Sequence, residues 1–275
     1  MGKKKWVYLD ADPLLFEVAE GKFVKMTIFG AEEGSVSDDY KEPLDKYKDR
    51  FELLVQDIED EIALATLGGI KIKGIKVIIS DPNTNFRYDI FPEYKGNRDS
   101  GARGPLFYRL RKWALKKYGY VKNVEADDVV SHYVRKGAIG ATMDKDMLRG
   151  VAGIWFDTYH SRRTLNVLAL GEARNFNLIQ TLMGDPTDNI KALPKKAGDP
   201  MIPADVPKGT RQPYKVTEKL ACGLLDEFGW TWEGVIKAFE SKGFGEEEAI
   251  LNRRLICLNQ WTPKHGVKLF KYKLT

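Results

Sequence analysis

Short apolar runs that end in a carboxylate alternate along this chain with longer segments whose apolar residues recur at helical spacing. Lys5-Trp6-Val7-Tyr8-Leu9-Asp10 reads as a buried strand closed by an acid, and Ile75 to Ser80 as a second, followed by Asp81. Between them Tyr47, Phe51, Leu54, Val55, Ile58 and Ile62 share one helical face, which predicts an amphipathic helix over 47–62 that Gly68-Gly69 stops. Strand, helix and strand at this spacing predict a parallel sheet with helical crossovers. Further on, the pattern predicts helices over 105–118 and from Glu125 through Tyr133. Strands follow at 138–143, ending at Asp144, and at 154–156, with an edge strand at 165–170. A short helix at 176–183 leads into Gly184-Asp185, and the Pro-, Gly- and Lys-rich stretch 191–215 reads as a long loop. Helices at about 216–228, 231–241 and 246–257 complete the chain. In open parallel sheets the functional crevice lies at the carboxyl ends of the strands, where Asp10, Asp81 and Asp144 are all expected.

Composition adds little until its charges are mapped. The chain has 275 residues, 43% hydrophobic, which is enough for a real core. No run of about eighteen apolar residues occurs and the basic N-terminus lacks a signal peptide's apolar stretch, so a cytoplasmic location is expected. Cys222 and Cys257 lack metal-ligand spacing and are expected to be buried thiols. His132, His160 and His265 are isolated and read as structural or surface residues. The net charge of +5 is modest, but Lys95, Arg98, Arg103, Arg109, Arg111, Lys112, Lys116 and Lys117 fall within 24 residues against the single acid Asp99. Such a local excess is the footprint of a polyanion site.

The acids carry the chemistry. Glu125-Ala126-Asp127-Asp128 opens a helix, with Glu125 and Asp128 three apart on one face. Asp144-Lys145-Asp146, read as an extended segment, puts two acids on one side, and Asp185 and Asp188 are again three apart. Singly, Glu125 or Asp127 would serve as a favourable charge at a helix start, and Asp185 or Asp188 as a cap. Together they form a set whose mutual repulsion needs compensation. Oxygen ligands without nearby His or Cys favour Mg²⁺ or Mn²⁺, and two such ions about 4 Å apart can drive phosphodiester displacement.

In this order, Tyr8-Leu9-Asp10, Ile79-Ser80-Asp81, Tyr94-Lys95-Gly96-Asn97-Arg98, Val124-Glu125-Ala126-Asp127-Asp128, Met143-Asp144-Lys145-Asp146 and Met183 to Asn189 resemble the 5′ nuclease family of flap endonucleases and phage 5′→3′ exonucleases. The matching segments span residues 8–190. The resemblance implies an α/β fold with a central, mainly parallel sheet flanked by helices (PIN-like), a helical arch and a C-terminal helical DNA-binding region. It implies one metal site drawn from Asp10, Asp81, Glu125, Asp127 and Asp128, and a second from Asp144, Asp146, Asp185 and Asp188. The expected cofactor is two Mg²⁺, with Mn²⁺ able to substitute. Lys95 and Arg98 would touch the scissile phosphate, Tyr94 would stack on a base, and helix 105–118 would form an arch wall admitting a 5′-ended strand. The expected partner is DNA with a 5′ end (duplex, nick or flap, or an RNA–DNA hybrid), bound by a monomer in phage replication, primer removal or DNA degradation.

One departure and two rivals frame that expectation. The family's Gly-Ile-Gly-type hairpin, associated with K⁺ and duplex backbone, is replaced by Asn189-Ile190 running into an insertion over about 191–215, where Lys195, Lys196, Lys208, Arg211 and Lys215 would meet phosphates. The expected division is a nuclease core over 1–183, with its arch at about 82–122, and a helical region over 184–275 carrying a degenerate helix-hairpin-helix. Leu9-Asp10-Ala11-Asp12 also resembles the start of haloacid-dehalogenase-type phosphatases, but Leu14 stands where that family has Thr or Val, and the other acids are left unused. A metal-free DNA-binding relative would show a broken acid set, whereas this one is complete.

Overall fold

The computed structural model describes residues 4–20, 22–27, 30–35, 44–66, 69–98, 103–159, 161–202 and 215–271. Two compact units result, one of residues 1–83 and 100–169, the other of 84–99 and 170–275. The boundary expected at 183 thus falls at 169, and the segment expected to form one arch, 82–122, is shared between units.

In the first unit, β1 (Lys5–Asp10), β4 (Ile72–Ile78), β5 (Ile139–Thr142), β6 (Gly153–Asp157) and β7 (Leu165–Leu168) form a sheet in the order β4-β1-β5-β6-β7. Four strands are parallel and β7 is an antiparallel edge. The chain order reverses between β1 and β5, so the crevice expected at a topological switch point opens beyond Asp10. Helix α1 (Asp12–Ala19) follows β1 directly, β2 (Lys22–Thr27) and β3 (Gly30–Ser35) make a hairpin, and α2 (Leu44–Ala65) is the amphipathic crossover. The six apolar positions read from sequence are the six buried ones in α2. Helix α4 (Pro105–Tyr118) sinks Phe107, Leu110 and Ala114 into the same core as α1 and α2. It is therefore a half-buried helix on its own unit, with Arg109, Lys112 and Lys116 on its exposed side. Helices α5 (Ala126–Arg135) and α6 (Lys145–Gly150) complete the unit. Gly140 in the middle of β5 is needed for packing: a Cβ there would lie 2.2 Å from the fully buried Trp155 ring.

In the second unit, α3 (Phe86–Ile90) is a short helix whose Arg87 is fully buried. Its Nε donates to the Leu255 carbonyl at 2.8 Å, at the end of α10 (Glu246–Ile256). Helices α7 (Leu170–Met183), α8 (Glu218–Phe228), α9 (Trp232–Glu240) and α10 share a core of Leu182, Leu225, Val235, Phe239 and Ala249. A small hairpin, β8 (Trp261–Thr262) and β9 (Gly266–Val267), ends the described chain. The segment expected as a loop over 191–215 is tied in at both described ends. Leu193 is buried and its N–H donates to the Leu182 carbonyl, Ala192 bridges Ile202, and Pro194 bridges Lys215. Residues 203–214, including Lys208 and Arg211, lie outside the described residues.

Candidate functional site

The carboxyl ends of β1, β4 and β5 and the start of α5 gather acids in the first unit. Asp10, the last residue of β1, is 6% exposed. Burial, followed by the nearby negative charges of Asp12 and Asp144, holds its carboxyl well above the usual aspartate range. Thr142, fully buried at the end of β5, donates its hydroxyl to Asp10 Oδ2 at 3.2 Å and accepts the Asp144 N–H at 3.1 Å. One side chain thereby sets two acids. Ser80 does similar work after β4: its N–H donates to Asp12 Oδ2, its hydroxyl accepts the Ala126 N–H, and its carbonyl accepts from Arg111. That pins the start of α5 to the sheet and leaves Glu125, Asp127 and Asp128 with one carboxylate oxygen each within 4.8 Å of one another. Asp128 is fully buried. Such oxygen donors, crowded and partly desolvated, suit a hard divalent cation, which would relieve their repulsion.

The second unit builds a cationic loop over 94–98. Asp188, in a single turn of 3₁₀ helix over Pro186–Asp188, accepts from the Tyr94 hydroxyl at 2.7 Å and from Arg98 Nη2 at 2.5 Å, with Lys95 Nζ at 3.7 Å. The Lys95 N–H donates to the Asp188 carbonyl, Asn97 Nδ2 to Pro186 and Asn189 Nδ2 to Glu93. Lys95 and Asn189 both sit at positive φ, 56° and 58°, a conformation the surrounding bonds enforce. Gly184, at φ +61°, admits no side chain: a Cβ would lie 2.4 Å from the Ile190 carbonyl oxygen.

No family model matches the chain. A 5′-3′ exonuclease of Buchnera aphidicola is 31% identical over 145 residues, 45% of this chain; the chain spans only 49% of that relative. A bacteriophage T5 flap endonuclease variant, solved with DNA and metal ions, superposes with a TM-score of 0.58 at 15% identity, covering 92% of this chain and 89% of its own. The T5 5′-exonuclease with bound zinc gives 0.61 at 17% identity, covering 91% and 88%. The chain is thus similar over part of its length to a 5′-3′ exonuclease, and its fold is that of the T5 structures. The mainly parallel sheet flanked by helices expected from the resemblance is the fold observed.

The structure sorts the expected site residues between the two units. Asp10, Glu125, Asp127, Asp128, Asp144 and Asp146 all belong to the first unit, whereas Asp185 and Asp188 belong to the second. Asp81 holds a turn, its two oxygens accepting N–H groups from Asn83 and Asn123 at 2.9 and 2.7 Å. Asp144 and Asp146 are not on an extended segment: Asp144 caps α6 and accepts the Asp146 N–H at 2.8 Å. Asp185 is likewise a cap, accepting from Thr187. Tyr94 does not offer a stacking face. It is 2% exposed, its hydroxyl is bonded to Asp188, and Arg87 and Lys95 lie over its ring. Arg111 faces inward, its Nε 3.7 Å from Asp12 and its Nη2 bonded to Ser80, so it organises the acids rather than meeting solvent. Lys117 pairs with Glu52 of α2, and Arg103 lies over the Phe107 ring. Arg109, Lys112, Lys116, Lys195, Lys196 and Lys215 are exposed. Asp12 was not among the expected ligands, yet it is one of the charges that perturb Asp10. Its signal was the Asp-x-Asp spacing after the first strand.

Proposed function

We propose that this protein is a metal-dependent 5′ nuclease that hydrolyses DNA phosphodiesters at or near a 5′ end and leaves 5′-phosphates. The observation that carries this reading is the partly buried acid group beyond β1 and β5, with the Glu125, Asp127 and Asp128 oxygens within 4.8 Å of one another at the start of α5. Asp10, Glu125, Asp127, Asp128 and Asp144 are the first-unit residues that would hold divalent ions. Mg²⁺ bound there would polarise a phosphoryl oxygen and stabilise the leaving oxygen. The protein's own part is orientation: Thr142 and Ser80 fix the acids, and Arg111 balances Asp12. In the second unit, Lys95 and Arg98 supply cations for a phosphate, held meanwhile by Asp188. Exposed Arg109, Lys112 and Lys116 on α4 supply sequence-independent backbone contacts. The named activities of the Buchnera and T5 proteins support the same reading, as does the DNA in the T5 flap endonuclease structure.

DNA labelled at its 5′ end, as blunt, nicked and 5′-flap duplex, tests the proposal in Mg²⁺ and in EDTA. Short labelled products that require metal are expected, and their sizes separate exonucleolytic steps from flap incision. Asp144→Asn retains a good helix cap while removing a charge, so single-turnover cleavage should fall by about 10²-fold or more with folding intact. Unchanged cleavage by Asp144→Asn, or release of phosphate from small phosphomonoesters without DNA cleavage, would overturn the assignment.

A further inference from the structure

The second unit holds a cavity of about 320 Å³ lined by none of the candidate site residues. One face of α10 makes its wall, because Glu248, Leu251, Asn252 and Leu255 recur at helical spacing. Phe91, Met201 and Phe244 add apolar surface, and Lys191 adds a cation. Asn252 interrupts the apolar stripe. It is 3% exposed, and its Nδ2 donates to the Thr181 carbonyl at 3.0 Å and to the Lys191 carbonyl at 2.9 Å. Both amide hydrogens are thereby used, which fixes the carboxamide and leaves Oδ1 without a donor among the described residues. Lys191 is exposed, and its ammonium has no partner among them either. We infer that this cavity is a docking site for the C-terminal residue of a partner polypeptide whose last side chain is large and apolar. That side chain fills the cavity, its backbone N–H donates to Asn252 Oδ1, and the terminal carboxylate pairs with Lys191.

The lining decides the chemistry of the occupant. A mostly apolar hollow with a few fixed polar groups is the usual form of a ligand pocket, and an acceptor held in such a wall calls for a donor. The occupant must therefore bring apolar bulk, a donor and an anion together. A C-terminal residue carries all three around one Cα. A simple aromatic or fatty acid lacks the N–H, an internal peptide residue lacks the carboxylate, and a nucleic-acid backbone lacks the apolar bulk. Glu248, the one acid in the lining, is already engaged: its Oε2 accepts the Gly245 N–H at 2.9 Å, at a helix N-terminus that favours its charge. Lys191 is thus the charge on offer to a ligand. None of these residues belongs to the acid group of the first unit, so the inference stands independently of the nuclease reading.

The full chain is titrated calorimetrically at low ionic strength with the peptide acetyl-Gly-Gly-Phe. Its C-terminal amide, the form N-methylated at Phe, acetyl-Gly-Gly-Gly and phenylpropionate serve as comparisons. The free acid should bind saturably, about fivefold tighter than the amide or the N-methyl form, and about tenfold or more tighter than the all-glycine peptide. Lys191→Gln should bring acid and amide within about twofold while leaving the amide's affinity unchanged, a pattern that a disturbed fold would not give. Absence of saturable binding overturns the inference, as does a preference for the acid that survives Lys191→Gln. An N-methyl form that binds like its parent removes the role of Asn252, and phenylpropionate binding as tightly as the peptide marks a site for small apolar acids; either result also overturns it.

Discussion

Thr142→Val isolates how the protein holds two acids with one hydroxyl. Valine keeps the volume and β-branching, so β5 packs as before, but Asp10 Oδ2 loses a donor and the Asp144 N–H loses its acceptor. The first bond is to a carboxylate and is worth about 1.5–3 kcal/mol when that group is ionised. The second leaves a partly buried amide unsatisfied, at about 1 kcal/mol. The sum is roughly 2–4 kcal/mol, which should lower the melting temperature of the first unit by roughly 5–15 °C. Thr142→Ser supplies the control. It keeps both bonds and deletes one buried methyl group, at about 1 kcal/mol. Urea unfolding of both variants without divalent metal, followed by the fluorescence of buried Trp155, reads the difference. The valine penalty should also grow with pH, because Asp10 prizes its donor most when charged. A valine variant as stable as the serine variant at pH 8 would refute the claim that this hydroxyl organises the acid group.

Two further changes test the neighbouring electrostatics. Asp10→Asn should stabilise the metal-free protein at neutral and alkaline pH. The native Asp10 pKa is raised, so its contribution is complete below the ordinary aspartate value and is lost as pH rises through the native one. The gain over wild type should therefore vanish near pH 3 and widen upward in urea titrations, and Mg²⁺ should reverse it by stabilising wild type more. A gain independent of pH would contradict the assigned burial. In the second unit, Asp188→Asn removes the charged acceptor shared by Tyr94 and Arg98, at a cost of about 1–3 kcal/mol. Amide exchange of residues 93–98 should speed up while that of β1 and β5 in the first unit stays unchanged; uniform protection would show that the loop is held by its backbone bonds alone.

How far the sequence could be read depended on whether the deciding contact was local. The α2 stripe, the strand ends at Asp10 and Asp144 and the helix over 105–118 were legible because period and punctuation are short-range. Helix α1 was not, since eight residues with Leu14, Leu15, Val18 and the exposed Phe16 carry no clean stripe, and that hid Asp12 in its first turn. At Asp144 the alternation of acids suggests an extended segment, but an acid before Lys145-Asp146-Met147-Leu148 is also a helix-cap signal, and the cap is what forms.

Tyr94 and Arg111 illustrate a deeper limit. Each lies in a segment whose basic and aromatic residues look like a nucleic-acid surface, and most of the exposed lysines and arginines around them fit that description. What turns these two inward is a carboxylate far away in sequence, Asp188 for Tyr94 and Asp12 for Arg111. No window of residues contains both partners, so composition assigns the outside role to residues the fold has used inside. The consequence is functional. Under the proposed reading, a phosphate bound at Lys95 and Arg98 would compete with Asp188 for the same donors, and displacing that carboxylate would also release the Tyr94 hydroxyl. Contact with a phosphate and the inward hold on Tyr94 would thus be coupled through one carboxylate, a link visible only once Asp188 and the 94–98 loop are seen together.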